Sequence, residues 1–236
     1  MIDIKGITKK YSKLVAVDNV SFSINDNECF ALLGLNGAGK STLINILSTG
    51  LLPTSGTATI NGYDLLEERD NIRKIINISP QESAVAKNLT VRENLDLMAS
   101  LYGVEKRQSK IDAIIKKFAL QEKENAHCKN LSGGQLRRVS IALAMITEPK
   151  ILFLDEPTLG LDVKSRRTLW DIIKELKENL TILLTTHYLE EVEFLADRIG
   201  IISRGKMQAI GSRDEIVNSC KTDNLENAFI MLTEEE

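Results

Sequence analysis

Alternating and then continuous apolar positions mark the first strands of this chain. Over residues 2–24 apolar residues alternate with polar ones, which predicts an antiparallel β element that buries one face. The next run, Cys29–Leu33, contains only apolar residues, so we expect a strand buried on both faces of a parallel sheet. Two late runs, residues 199–202 and 206–210, flank Arg204 and predict a hairpin. Further apolar runs predict short strands at residues 56–60, 75–78, 151–154 and 181–185.

A helical period replaces the β pattern between residues 85 and 148. Apolar residues recur there three or four positions apart, as expected for amphipathic helices. Thr90 is followed three residues later by Glu93, and Ser132 by Gln135, and both pairs form the capping-box pattern of a helix N-terminus. We therefore expect a helical subdomain over residues 85–148.

The β pattern resumes after this segment and alternates with helical stretches. The clearest such stretch is an amphipathic helix around residues 169–176, with Trp170 at the edge of its apolar stripe. Strands that alternate with helices predict an α/β fold with a mostly parallel sheet and helices on both faces. We expect one domain over residues 1–236, in which residues 1–84 and 149–236 form the α/β core that carries the inserted helical subdomain.

Composition places the chain among ordinary globular proteins. It has 236 residues, of which 43% are hydrophobic and 27% charged, with a net charge of −3. The slightly acidic balance argues against a general nucleic-acid-binding surface. No stretch approaches the roughly eighteen apolar residues of a membrane span, and the opening residues lack the pattern of a signal peptide. Scattered cysteines without metal spacing, Cys29, Cys128 and Cys220, indicate reduced residues of a cytosolic protein, and we expect His127 to be structural or exposed.

The glycine-rich segment after the buried strand carries the most specific motif of the sequence. A strand, a glycine loop, a Lys-Ser pair and a helix in this order form a P-loop. Its glycines let backbone N–H groups approach phosphate oxygens, and the helix N-terminus adds further donors. Lys40 is placed for the β- and γ-phosphates and Ser41 for Mg²⁺; a glycine turn with an incidental lysine is the alternative. The segment comprises Gly34, Leu35, Asn36, Gly37, Ala38, Gly39, Lys40, Ser41 and Thr42.

Two carboxylates follow the apolar run at residues 151–154. The carboxyl ends of parallel strands form the ligand-binding edge of an open α/β sheet, and Asp155 and Glu156 are expected there. Asp155 fits the acidic Mg²⁺ partner of a P-loop, and Glu156 is then free to polarise water for attack on the γ-phosphate. Without the P-loop, a solvated acidic turn would explain this pair equally well.

A second glycine-rich motif lies at the predicted helix start near residue 132. Ser132, Gly133, Gly134 and Gln135 combine a serine hydroxyl with N–H groups left bare by adjacent glycines, which is the composition of a second anion site. A capped helix alone accounts for the serine and the glutamine. It does not account for two adjacent glycines, because each glycine lowers the stability of a helix.

The order of these motifs resembles the nucleotide-binding subunit of ATP-binding-cassette (ABC) transporters, over essentially the whole chain. The P-loop comes first, followed by Gln81, the signature segment that ends at Gln135, the Leu-Asp-Glu segment and His187. The resemblance implies a P-loop NTPase core, with ATP as the nucleotide and Mg²⁺ as the metal. It also implies that the signature segment completes the ATP site of a second ABC subunit, in a homodimer or a heterodimer.

The same resemblance implies roles for five side chains. Tyr11 stacks on adenine, and Gln81 reaches Mg²⁺ and the attacking water and couples to the membrane subunit. Glu156 is the catalytic carboxylate, His187 contacts the γ-phosphate, and Asp162 lies in the segment that crosses between subunits. That segment reads Leu-Gly where many relatives have Ser-Ala. The alternatives are an exposed aromatic for Tyr11, a turn residue for Gln81 and a solvated strand-end histidine for His187.

These features predict a Mg²⁺-dependent ATPase that powers transport across a membrane through separate membrane-spanning subunits. We expect it in the cytoplasm, peripheral on the inner face of the cell membrane, with no nucleic-acid partner. Residues 224–233 resemble the short ending of the family's bacterial drug- and polysaccharide-export ATPases, which favours export. Two alternatives stay open. One is a soluble ABC ATPase acting on ribosomes or DNA, and the other is a non-hydrolysing nucleotide-binding regulator.

Overall fold

The structure is a computed structural model that describes residues 1–234 as two β-sheets with surrounding helices. Two short 3₁₀ helices, Gln121–Lys123 and Cys128–Asn130, lie in the second half of the helical segment. The strands are β1 (Ile2–Tyr11), β2 (Leu14–Ile24), β3 (Cys29–Leu33), β4 (Ser55–Ile60), β5 (Tyr63–Asp64), β6 (Ile76–Ser79), β7 (Ile151–Asp155), β8 (Thr181–Thr186), β9 (Arg198–Ser203) and β10 (Lys206–Gly211). The helices are α1 (Lys40–Leu47), α2 (Arg69–Arg73), α3 (Val91–Leu101), α4 (Arg107–Lys117), α5 (Gly133–Met145), α6 (Val163–Leu176), α7 (Leu189–Leu195), α8 (Arg213–Cys220) and α9 (Leu225–Thr233).

The two sheets correspond to the two strand patterns of the sequence. Strands β10, β9, β3, β8, β7 and β6 form, in that order, a six-stranded sheet whose neighbours are parallel except for β10 and β9. Strands β2, β1, β4 and β5 form an antiparallel sheet. The predicted α/β class, with a mostly parallel sheet and an antiparallel β element, is therefore confirmed, and β9 and β10 form the predicted hairpin.

Strand β3 shows why a continuous apolar run becomes the centre of the protein. Cys29, Ala31 and Leu33 face a core shared with α3, α5 and α6. Phe30 and Leu32 face a second core, shared with α1 and the antiparallel sheet. All five side chains are fully buried, so the loop that follows β3 leaves from between two packed layers and its position is fixed by both.

Helices α3, α4 and α5 occupy most of the segment for which the sequence predicts a helical period. Thr90 Oγ1 accepts a hydrogen bond of 3.2 Å from Glu93 N, and Glu93 Oε2 accepts one of 2.7 Å from Thr90 N, so the predicted capping box is formed. The three helices pack on one another, and α5 also packs on β6 and β7. Helix α5 therefore connects this segment to the strand that ends at Asp155.

Four short helices, α2, α7, α8 and α9, were not assigned from the sequence pattern. They contain five to nine residues each. Such lengths are too short for a helical period to stand out from neighbouring strands and loops. None of the helices described within residues 1–234 is long and apolar enough to cross a membrane.

Trp170, predicted at the edge of the apolar stripe of α6, is buried because helix α7 covers this side of α6. Only 2% of Trp170 is exposed, and its ring stacks on Phe194 with 5.2 Å between the ring centroids. The indole Nε1 donates a hydrogen bond of 3.0 Å to Oε1 of Glu191, which is fully buried. The other carboxylate oxygen of Glu191 has no hydrogen-bond partner among the described residues. Burial raises the pKa of Glu191, although the side chains of Thr186, Trp170 and Thr158 oppose the shift.

Replacing Glu191 by Gln is expected to stabilise the fold at neutral and alkaline pH. The amide keeps an acceptor for Trp170 but avoids the desolvation penalty of a buried carboxylate. Because the folded-state pKa of Glu191 is raised, this penalty is absent below the ordinary glutamate pKa and grows as the pH rises toward the folded-state value. Urea denaturation of Glu191→Gln and the wild type should therefore give a larger stability difference at pH 8 than at pH 5.

An exposed carboxylate on α6 provides the control for this measurement. Glu175→Gln should change stability little and by the same amount at both pH values, because Glu175 is exposed. A Glu191→Gln effect that does not depend on pH would contradict the prediction.

Candidate functional site

The carboxyl ends of three neighbouring strands bring the sequence motifs to one edge of the six-stranded sheet. Strand β8 lies between β3 and β7, with Asp155 of β7 in register with Thr185 of β8. The segments that follow these strands therefore start side by side. They are the P-loop after β3, Glu156 after β7 and His187 after β8.

The P-loop has a backbone that favours glycine at its last position before α1. Gly39 has a φ of +104° and caps α1. A Cβ at this position would lie 2.3 Å from the carbonyl oxygen of Ala16 in β2, so a larger residue would clash with the backbone of the antiparallel sheet. The N-terminus of α1 opens onto the loop, where its unpaired N–H groups favour an anion.

Lys40 lies inside the loop with its charge already paired. Its Nζ donates to the carbonyl oxygens of Gly34 at 2.8 Å and Leu35 at 3.2 Å, and it lies 3.1 Å from Oε1 of Glu156. The side chains of Lys40 and Glu156 are each 5% exposed, so two opposite charges meet where water is scarce. The carboxylate and the loop carbonyls offset the cost of burying the ammonium.

Ser41 and Asp155 place two hard oxygen atoms beside the lysine. Ser41 Oγ donates to Asp155 Oδ1 at 3.1 Å, and the Thr185 hydroxyl donates to the same oxygen at 2.5 Å. Mg²⁺ at phosphate sites takes one or two protein oxygens and is completed by waters and substrate phosphates, so this pair fits it. Among residues 1–234, no group of three or more His, Cys, Asp and Glu residues is arranged to hold a metal ion.

Glu156 is held from both sides of its carboxylate. Oε2 lies 2.8 Å from Nδ1 of His187, and Oε1 faces Lys40. The Glu156 N–H donates to the carbonyl and hydroxyl oxygens of Thr185, both at 3.1 Å. Its φ of +47° is uncommon for a residue other than glycine and persists only where the surroundings hold it. The structure thus brings Glu156 and His187 into direct contact.

A cavity of about 670 Å³ opens beside the P-loop and Glu156, whereas Asp155 and His187 are not among the residues that line it. Its wall includes the P-loop and Glu156 and also Tyr11 and Gln81, so the structure places both of these side chains at the same space. Tyr11 is half-exposed at the end of β1, with Lys9 Nζ 5.2 Å from the centre of its ring. Three further lining residues, Leu14, Val15 and Ala16, lie at the start of β2 and were not singled out from the sequence. Leu159 and Arg204 also line the cavity, although neither was assigned a role in the site from the sequence.

The signature segment lies away from this cavity. Ser132 and Gly133 are exposed at the start of α5, where Ser132 Oγ accepts a hydrogen bond of 3.3 Å from Gln135 N and Gln135 Oε1 accepts one of 3.0 Å from Ser132 N. Helix packing also requires glycine at position 134, because a Cβ there would lie 2.4 Å from Ser165 Oγ in α6. The sequence does not show this requirement. A single chain therefore keeps its P-loop and its signature segment apart.

Asp162 caps α6 beside the signature segment. Its carboxylate accepts hydrogen bonds from Ser165 Oγ at 2.6 Å and Ser165 N at 3.0 Å. These bonds lower the pKa of Asp162. Because Ser165 also meets Gly134, the cap holds α6 against the first turn of α5. Asp162 thus has a structural function within the single chain.

Comparison with known proteins decides the family. The family model described as ABC transporter matches residues 17–159, which are more than half of the chain. The chain belongs to the ABC transporter family. A model described as an AAA domain also matches residues 128–193 of this ABC cassette.

Two curated relatives of the ABC cassette are named for drug resistance. The linearmycin resistance ATP-binding protein LnrL of Bacillus subtilis is 40% identical over 95% of this chain and 73% of the relative. The daunorubicin/doxorubicin resistance ATP-binding protein DrrA of Streptomyces peucetius is 39% identical over 92% of this chain and 67% of the relative. The chain spans 13% of ABC transporter A family member 6 of Dictyostelium discoideum, to which it is 42% identical.

Solved ABC structures share the fold of the cassette. A structure of the ATP binding subunit of an ABC transporter superposes with a TM-score of 0.88 at 29% identity, over 99% of this chain and 100% of the other. A dimeric post-hydrolysis state of the ATP-binding cassette MJ0796, bound to ADP and Pi, superposes with a TM-score of 0.81 at 28% identity, over 90% of this chain and 98% of the other. The predicted P-loop NTPase fold is confirmed, and the ABC cassette is an ATPase.

Lys40→Ala is expected to lower the affinity for ATP at least about 100-fold. The substitution removes the ammonium that would meet the phosphates and leaves the buried Glu156 charge in the site. Hydrogen bonds to charged groups are worth about 1.5–3 kcal/mol each, and a tenfold change in affinity corresponds to about 1.4 kcal/mol. Fluorescence titration with ATP measures the loss, and Lys150→Ala, an exposed lysine just before β7, should bind as the wild type does. Unchanged affinity in Lys40→Ala would mean that the loop does not hold phosphate.

Proposed function

We propose that this ABC cassette hydrolyses ATP to drive export of a substrate across a membrane through separate membrane-spanning subunits. The observation that carries the proposal is the contact of Glu156 with both Lys40 and His187 at the end of the P-loop cavity. The names of the two drug-resistance relatives support export as the direction. The proposed location is the cytoplasmic face of the cell membrane, where the membrane-spanning partner holds the cassette.

The proposed reaction begins by exchanging the partner of Lys40. Without nucleotide, Lys40 and Glu156 neutralise each other at 3.1 Å. The phosphates of ATP offer the ammonium a more strongly charged partner, so binding releases Oε1 of Glu156 toward the attacking water. Glu156 then polarises this water, while His187 orients the carboxylate through Oε2 and reaches the γ-phosphate. ATP binding and the release of Glu156 for catalysis therefore occur in the same step.

The remaining cavity residues hold the rest of the nucleotide in this proposal. Tyr11 stacks on adenine, and the P-loop amides hold the phosphates. Ser41 and Asp155, with Gln81 beside them, would hold Mg²⁺, which supplies charge neutralisation at the phosphates when bound. Gln81 also orients the attacking water.

The signature segment is proposed to complete the ATP site of a second cassette. Ser132 and Gly133 are exposed, and the segment does not line the cavity of its own chain, so it is available to face the P-loop of another. Ser132, Gly133, Gly134 and Gln135 then contribute a hydroxyl and helix-terminal N–H groups to the γ-phosphate, and Asp162 faces the same partner. The similar cassette MJ0796 is dimeric, which supports the pairing of two cassettes. The second cassette is another copy of this chain or a related subunit.

Residues 85–148 are proposed to move as a unit against the core, residues 1–84 and 149–236, when ATP binds. Gln81 precedes this segment and Ser132 lies within it. In this proposal the chain's own ATP contacts Gln81, and the ATP of the second cassette contacts Ser132. The membrane-spanning subunit would respond to this motion. Hydrogen exchange with and without ATP should therefore change near Gln81 and near Ser132 as well as in the P-loop. Changes confined to residues 34–42 would contradict the motion.

Glu156→Gln is expected to bind ATP, to release phosphate at least about 100-fold more slowly and to accumulate as an ATP-bound dimer. The amide has nearly the size of the carboxylate but cannot polarise water, while Asp155 is unchanged. Each ATP adds contacts to both subunits, so stopping hydrolysis shifts the population toward the dimer. Phosphate release tests the ATPase, and size-exclusion chromatography with light scattering tests the dimer.

Ser132→Arg on the same Glu156→Gln background is the control, since a bulky side chain in the shared site should return the protein to monomer. A wild type that binds ATP without releasing phosphate would favour a non-hydrolysing regulator. A Glu156→Gln protein that binds ATP and stays monomeric, even with its membrane subunit present, would overturn the shared site. Co-purification of the wild type with ribosomes instead of membranes would overturn transport.

A further inference from the structure

Arg137 is a buried arginine to which the proposed reaction assigns no role. It lies in α5, one and a half turns beyond Ser132, and it is 5% exposed. Its position on the helix follows Gly134 by three residues and precedes Ile141 by four, so it belongs to the inward stripe of α5. A guanidinium on such a stripe needs several acceptors inside the protein.

Four backbone carbonyl oxygens receive the hydrogen bonds of this guanidinium. Nε donates to Pro157 O at 2.9 Å, and Nη2 donates to Asp155 O at 2.8 Å. Nη1 donates to Pro80 O and, at 3.3 Å, to Gln81 O. One side chain thus joins the signature helix to the loop after β6 and to the end of the catalytic strand β7.

The two acceptors at the end of β7 lie on either side of Glu156. That residue has a left-handed backbone, with a φ of +47°, which its neighbours must hold. A planar guanidinium presents its N–H groups in a fixed fork, whereas a lysine ammonium is a single point of charge. Burial lowers the pKa of Arg137 to about 10, and the charges of Asp155, Glu191 and Glu156 oppose the shift, so the fork stays charged at neutral pH.

We propose that Arg137 is the positioning residue that sets Gln81 and Glu156 relative to the signature helix. This inference rests on the roles proposed above for Gln81 and Glu156. It adds a physical connection between the helix whose start at Ser132 meets a second cassette and the groups that act on the chain's own ATP. Displacement of α5 against the core pulls on both pairs of carbonyls, so the catalytic geometry depends on where α5 lies.

The neighbouring Arg138 offers a matched control. It is half-buried on α5, whereas Arg137 is buried, and its Nη1 donates to two backbone carbonyls, Phe118 O at 2.9 Å and Ala119 O at 2.7 Å. These carbonyls end α4, far from Gln81 and Glu156 along the chain. Arg138→Met therefore removes an arginine with the same kind of partners from the same helix and leaves the catalytic segments untouched.

The test compares Arg137→Met and Arg137→Lys with Arg138→Met in the full chain. Without nucleotide, hydrogen exchange over residues 81–84 and 156–160 should become at least about threefold faster in both Arg137 variants and stay unchanged in Arg138→Met. With ATP, kcat of the Arg137 variants should fall about 10–100-fold, while their Kd for ATP stays within about threefold of the wild type. Arg138→Met should keep the wild-type kcat even if its Tm falls as much as the Tm of the Arg137 variants.

Arg137→Lys keeps the charge, so it preserves the comparison if Arg137→Met does not fold. The proposal is overturned if the Arg137 variants keep the wild-type kcat, or if their loss of kcat equals that of Arg138→Met at the same loss of Tm. Unchanged exchange at residues 81–84 and 156–160 would overturn it as well. A wild type without ATPase activity would instead overturn the proposed function. The exchange measurement would still decide whether Arg137 holds residues 81–84 and 156–160 in place.

Discussion

The buried pairing of Lys40 with Glu156 is the interaction on which the rest of the site depends. Taking an ammonium and a carboxylate out of water costs several kcal/mol each. Their 3.1 Å contact offsets that cost, with help from the loop carbonyls of Gly34 and Leu35. The contact needs a loop that returns the lysine toward β7 and a strand end that turns the glutamate toward the loop. Gly39 and the left-handed backbone of Glu156 provide these two conformations, and the packed cores on both sides of β3 and β7 hold them in place.

Local chemistry explains which parts of the fold and the site the sequence predicts. The P-loop, strand β3 and the capping boxes each depend on residues a few positions apart, so pattern alone finds them. The sequence also predicts that the P-loop, Glu156 and His187 lie at one edge of the sheet, because the carboxyl ends of parallel strands lie on the same side. The distances between Lys40, Glu156 and His187 do not follow from it, since they depend on how three strands of the sheet stand in register.

Long-range packing explains what the sequence misses. The sequence pattern does not show how deeply Trp170 is buried, because the helix that covers it, α7, has only seven residues and no detectable period. The sequence predicts an anion site at Gly134, the second glycine of the signature segment. The structure shows that this glycine also leaves room for Ser165 of another helix. The acceptors of Arg137 are backbone carbonyls, which exist at every position and leave no mark in a sequence. Such contacts become visible when the elements are packed together.

Helix α5 shows how two separated half-sites can belong to one mechanism. Ser132 and Gly133 at its start are exposed and do not line the chain's own P-loop cavity, whereas Arg137 donates to the carbonyls on both sides of Glu156. Only about 7.5 Å of helix rise separates Ser132 from Arg137 at 1.5 Å per residue. A hydrogen-bonded helix does not absorb a displacement over so short a length. A partner that moves the start of α5 is therefore expected to move the guanidinium as well. In the proposed mechanism, the backbone conformation of Glu156 then responds to a contact made at the surface of the chain.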